Sequence, residues 1–102
     1  MDITTDGPTL VLRGDFDVRS TMEVRDALHE QLRDLHDDIV VDLSGVDAVD
    51  TAALRVLGAA SLAAARSGQL VTLRGCTPAV RRMLHLTRLI RVLEVERVAV
   101  GA

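Results

Sequence analysis

The sequence predicts an α/β domain: a mostly parallel sheet of four to five strands, an antiparallel strand at its N-terminal edge, and three or more helices packed on it. Three observations carry that expectation. The hydrophobic period switches repeatedly between about two and about 3.6 along the chain. The segment Ile39-Val40-Val41-Asp42-Leu43 is β-branched and apolar on both faces, as in a strand covered by helices. Connections between the periodic segments are short, so strand, helix and strand follow one another as right-handed parallel crossovers.

The elements follow in order. Asp6-Gly7-Pro8 is a turn signal that links a brief strand around Asp2 to Thr4 with the apolar run Thr9 to Arg13, which together make an edge hairpin. From Ser20 or Thr21 the period becomes helical: Val24, Leu28, Leu32 and Leu35 form one stripe, and Arg25, Asp26, His29, Glu30 and Arg33 the opposite face, with a Ser/Thr cap. Ile39 to Leu43 is the central strand, followed by a loop over Ser44 to Val49. A second helix runs from Asp50 or Thr51 to about Arg66 and stops at Ser67-Gly68. Leu70 to Arg74 is the next strand. Thr77 as N-cap with Pro78 at the first helical position opens a third helix to about Arg88, and Val92 to Val95 is a last strand. No repeat, linker or low-complexity stretch interrupts residues 1–102, which read as one domain.

Composition narrows the function. The 102 residues carry 12 basic groups, all Arg, against 15 acidic ones, for a net charge of −3. With 48% hydrophobic residues and Phe16 the only aromatic, the core must be built from Leu, Val, Ile and Ala. An acidic chain without stacking rings is a poor nucleic-acid binder, so direct nucleic-acid contact is not expected. The single cysteine, Cys76, excludes an internal disulfide; together with an N-terminus that has no secretion signal, it predicts a cytoplasmic protein. No apolar stretch approaches the roughly 20 residues of a membrane-spanning helix, so no membrane insertion is expected.

Catalytic patterns are missing: there is no phosphate loop, nucleophile elbow, Cys pair or His pair at metal-ligand spacing on one helical turn, and neither an enzyme nor a bound cofactor is expected. His29 and His36 read as a solvated helix face, and Cys76 as a packing residue at a strand end where a thiolate could be stabilised. Two features stand out. Asp15, Asp17, Asp47 and Asp50, with Asp42 nearby, form an acidic rim at the carboxyl edge of the sheet, where function in open α/β folds concentrates. The helix from Thr51 is apolar or small nearly all round, which offers a flat surface to a partner beyond what packing on the sheet uses. Thr51 places a hydroxyl at the helix N-terminus, where added phosphate charge is stabilised by the helix itself. On the third helix Arg81, His85 and Arg88, with Arg82 beside them, make a basic stripe that reads as a solvated face, with an acidic partner or a nucleotide phosphate as the alternatives.

The run Gly14-Asp15-Phe16-Asp17, then Val40-Val41-Asp42-Leu43-Ser44-Gly45-Val46 leading into Val49-Asp50-Thr51-Ala52-Ala53-Leu54, resembles the STAS family of bacterial anti-sigma factor antagonists and sulfate transporter tails. The similarity continues through Ser67-Gly68-Gln69-Leu70 and Thr77 to Leu84. It implies a protein-binding module that docks on an anti-sigma factor kinase, is released by phosphorylation at Thr51, and is restored by a phosphatase, as a monomer or weak dimer. The docking residues it implies are Asp17, Asp50, Ala52, Ala53, Leu54 and Arg55. The alternative within the family is an unphosphorylated structural subunit of a lipid-transport ABC ATPase or a stress-sensing scaffold. Three positions differ from the commoner family pattern: Thr51 stands for a Ser at the acceptor, Ala53 stands for a Gly, which places a methyl at the docking edge, and Arg88 stands for the Gly that closes the third helix.

Overall fold

In the computed structural model, which describes residues 1–96, Leu10, Leu12 and Phe16 of one strand face the same side as Ile39, Val41 and Leu43 of the next, and all six are buried. This period-two alternation builds a five-stranded sheet ordered β1 to β5: β1 (Asp2–Asp6), β2 (Thr9–Phe16), β3 (Ile39–Val49), β4 (Val71–Arg74) and β5 (Glu94–Val95). The β1–β2 pair is antiparallel and the other pairs are parallel. The parallel pairs need crossovers, which α1 (Thr21–Leu35), α2 (Thr51–Arg66) and α3 (Pro78–Leu86) supply. These helices bury Val24, Leu28 and Leu32, then Leu54 and Leu57, then Val80 and Leu84, all in one cluster with the inward residues of the sheet. The fold class read from the sequence is therefore observed: a mostly parallel five-stranded sheet with an antiparallel N-terminal edge and three helices.

Several boundaries differ from the expectation, each for a physical reason. The expected loop over Ser44 to Val49 is strand: β3 continues to Val49 beside a β2 that reaches Phe16. Ser, Gly and Asp read as turn residues, but here they accommodate two register shifts, at which β3 carries an extra residue each time. Gly45 sits where a Cβ would come 2.8 Å from Arg13 Cγ, so the close approach of β2 explains that glycine. The central strand is also not covered equally on both faces. Val40, Asp42 and Thr72 are only half-buried, so the helices pack one side of the sheet.

Leu35 falls outside the packed stripe of α1 at 42% exposure, because the helix ends there with His36 in the left-handed conformation, φ 51°. α3 ends at Leu86 instead of Arg88. Thr87 closes it by donating its hydroxyl to the Met83 carbonyl at 2.7 Å, and Arg88 itself adopts the left-handed turn, φ 61°, that glycine takes in the commoner pattern. A 3-10 turn over Leu89–Arg91 follows and shortens the last strand to Glu94–Val95.

Candidate functional site

β2 and β3 end side by side, with Phe16 paired to Val49, so the next residues of each strand, Asp17 and Asp50, emerge at one edge of the sheet. Asp50 is extended, φ −111° and ψ 175°, and is the N-cap of α2. Its Oδ1 accepts the Ala53 N–H at 2.9 Å, and its Oδ2 accepts the Val18 N–H at 3.0 Å. The Asp50 N–H donates to the Phe16 carbonyl at 3.3 Å. One carboxylate thus ties the start of α2 to the turn after β2. Thr51 follows as the first helical residue, half-buried, and its hydroxyl takes no part in the cap. The Thr51 and Ala52 N–H groups are the two that neither the Asp50 side chain nor the Asp50 carbonyl claims.

Asp17 caps a 3-10 turn, Val18–Ser20, by accepting the Arg19 N–H at 3.0 Å. Arg19 also reaches the same carboxylate, with Nη2 2.6 Å from Oδ2. The Arg19 side chain, then the Arg19 backbone N–H, hold the Asp17 carboxyl below its ordinary value. Ser20, expected to cap α1, makes no side-chain cap bond; Thr21 instead donates its hydroxyl to the Val18 carbonyl at 3.1 Å.

The remaining acidic residues do not converge. Asp15 and Asp47 lie exposed on β2 and β3. Asp42 accepts both the hydroxyl and the backbone N–H of Ser44, at 2.7 and 2.9 Å. Burial pushes the Asp42 carboxyl up, but those two bonds, with Arg74 and Arg13 nearby, outweigh it and hold the carboxyl below its ordinary value. Among the described residues no group of three or more His, Cys, Asp or Glu is placed to hold a metal ion. Cys76 is half-buried against the core, as a packing residue, and burial pushes its thiol up. Arg81, Arg82, His85 and Arg88 are all exposed, but Arg88 lies beyond the end of α3 and off its stripe.

Of the docking residues expected from the sequence, the edge brings together Asp17, Asp50, Thr51 and Ala52, while Arg55, one turn further along α2, is exposed beside Arg25 and His29. Ala53 and Leu54 are corrected: both are 0% exposed and belong to the core, with no surface to offer a partner. The methyl expected at the docking edge therefore points inward. Sequence reasoning missed two residues. Val18, whose N–H binds Asp50, is 64% exposed, and Met22 at the start of α1 is 57% exposed. Their signal was available, since neither falls on the Val24–Leu28–Leu32 stripe. The edge thus presents apolar side chains around a hydroxyl and two engaged carboxylates.

A family model described as Mlab, STAS domain, matches residues 1–94, and the chain belongs to the STAS family. No curated protein sequence matches it. Among solved structures, it is similar to a Thermotoga maritima protein described as an anti-sigma factor antagonist, at 19% identity and TM-score 0.78 over 96% of this chain and 86% of that one. It is also similar to a sulfate transporter family protein from Wolinella succinogenes, at 17% identity and TM-score 0.69 over 85% and 73%. The phosphorylated form of the Bacillus cell fate determinant SpoIIAA matches at 12% identity and TM-score 0.66 over 94% and 90%. At these identities the likeness is one of fold. Among the described residues no helix is long and apolar enough to cross a membrane.

Proposed function

We propose that the chain is an anti-sigma factor antagonist: it docks on an anti-sigma factor kinase through the edge formed by Asp17, Val18, Asp50, Thr51, Ala52 and Arg55, and phosphorylation of Thr51 releases it. The observation that carries this reading is the division of labour at the start of α2. Because Asp50 supplies the cap, the Thr51 hydroxyl is spared from holding the helix and is partly exposed beside unclaimed N–H groups. Phosphate there adds a charge of about −1.5 to −2 to a rim that already carries Asp17 and Asp50, and the helix N-terminus stabilises it without unfolding the domain. The docking surface changes sign balance while the fold stays. The reading makes the protein a cytoplasmic regulator, not an enzyme.

Incubation with ATP and the candidate kinase, followed by peptide mapping, is expected to find phosphate on Thr51 and none on a Thr51→Ala variant. Thr51→Glu should weaken partner binding at least tenfold with an unchanged cooperative melt. Phosphate confined to other residues, or undiminished binding by Thr51→Glu, would overturn the switch.

A second reading, a permanent structural subunit of an ABC ATPase or a scaffold, is favoured by the exposed side of α2, where Ala59, Leu62 and Ala63 face outward and Leu62 is 56% exposed. There Ala59→Arg would abolish assembly while Thr51→Glu left it intact, the reverse of the pattern expected for the switch.

A further inference from the structure

α1 and α2 pack side by side, and two cavities of about 390 and 410 Å³ lie along their seam. Both are lined by His29 and Ala63, so they form one continuous groove. Its floor is apolar and small: Val56, Ala60, Ala63, Ala64 and the edge of Leu32. Its ionisable lining is of one kind. Arg25, His29, Arg33 and His36 run along the α1 side and Arg55 stands on the α2 side, with no carboxylate among the lining residues. In a chain of net charge −3 this is a segregation, since Glu30 and Asp34 line the opposite side of α1, toward β1. Among the described residues Arg25 and Arg33 pair only with their helix neighbours Asp26 and Asp34, at 3.5 and 3.7 Å, exposed contacts of the kind that hold a charge weakly.

We infer that this groove binds an acidic amphipathic helix of a partner protein, about three turns long, with its apolar face on the alanine floor and its carboxylates against the arginine rims. The length follows from the row itself: Arg25 to His36 spans 11 residues, about 16 Å of helix. Three guanidinium groups, of Arg25, Arg33 and Arg55, need anions at several points, so a single-headed amphiphile such as a fatty acid would leave most of them unpaired. A nucleic acid would find the charge but no ring to stack on and an apolar floor to desolvate. A second copy docked symmetrically would set the same arginines against each other. The alanine floor admits a helix closely, and acidic flanks then pair with guanidinium groups that would otherwise repel one another. On the α2 side the groove runs about 18 Å, from Arg55, one turn past Thr51, to Ser67, and does not depend on the phosphorylation proposed there.

The test is selection of a random 16-residue peptide display library on the immobilised full chain, followed by fluorescence anisotropy of the enriched peptides against wild type and against Arg33→Glu and Ala63→Glu. Both substitutions are at exposed positions at the end of the groove remote from Thr51, and their melts report folding. Enriched peptides should carry Asp or Glu with apolar residues at i, i+3 and i+4, bind with micromolar affinity, lose at least tenfold on either substitution and weaken with added salt. Thr51→Glu should leave their binding within twofold, which separates this result from that of the switch. No enrichment, enrichment of basic or uncharged peptides, binding indifferent to both groove substitutions, or tighter binding of a 20-mer oligodeoxynucleotide, oleate or phosphatidylglycerol vesicles would each overturn the inference.

Discussion

Asp50 does the work of two residues. Its carboxylate caps α2 through Ala53 and holds the turn after β2 through Val18, so removing it should cost at least as much as an ordinary helix cap. An N-cap truncation costs about 1 to 2 kcal/mol, and the stranded Val18 N–H lies at a solvent-exposed turn where water can replace the lost acceptor. Asp50→Ala is expected to lower the melting temperature by roughly 5 to 15 °C, with Asp50→Asn, which keeps one acceptor oxygen, falling in between. Thermal denaturation followed by circular dichroism measures this directly. The same pair of bonds shows what the sequence revealed at this site and what it did not. Asp before Thr at the head of an alanine-rich run marked the edge and the helix start. That the carboxylate and not the hydroxyl is the cap, and that Ala53 faces the core, depend on the angle at which the chain enters α2, and residue types alone do not specify that angle.

Among the elements, α2 was the most legible, because its length, its Ser67-Gly68 end and its small-residue composition agree with one another. β3 was the least. Its second half mixes Val46 and Val49 with Ser, Gly, Asp and Ala, which are poor strand formers, and pairing with β2 across two bulges makes them strand; such pairing is a contact between distant segments and leaves no local period. Buried Leu43 and Val46, three residues apart where a regular strand would place them two or four apart, are the trace of that irregularity. α3 shows a different kind of departure. Arg88 holds a left-handed conformation that costs an L-residue about 1 to 2 kcal/mol, while glycine gives part of that back as lost chain entropy. Arg88→Gly should therefore raise stability by up to about 1 kcal/mol in urea denaturation, and a loss of stability would mean that the arginine side chain contributes packing the backbone angles do not show.

Across the whole molecule, charge is sorted by position. Carboxylates engage in caps and turns at the sheet edge, while arginines and histidines line the α1–α2 groove. The acid response follows from the first group. Asp17 and Asp42 are both held below the ordinary aspartate value, so around pH 4 the unfolded chain binds more protons than the native one. The stability this provides is complete above about pH 5 and declines as the pH falls through the lowered native values. Urea midpoints at pH 7, 5 and 3.5 should be level across the first pair and drop at the third, and Asp42→Asn should flatten that drop. A midpoint that rises toward pH 3.5 would contradict the sign.

The two lateral margins of the sheet are closed to strangers in different ways. Among the described residues β5 is only two residues long, and β1, though five, carries Asp2 and Asp6 at its ends with exposed Thr4 and Thr5 between them. A foreign strand seeking to extend the sheet would find too short a template on one side and carboxylates at both ends of the other. Neighbours must therefore be met by helices and turns, which keeps so small a domain from polymerising through its own backbone.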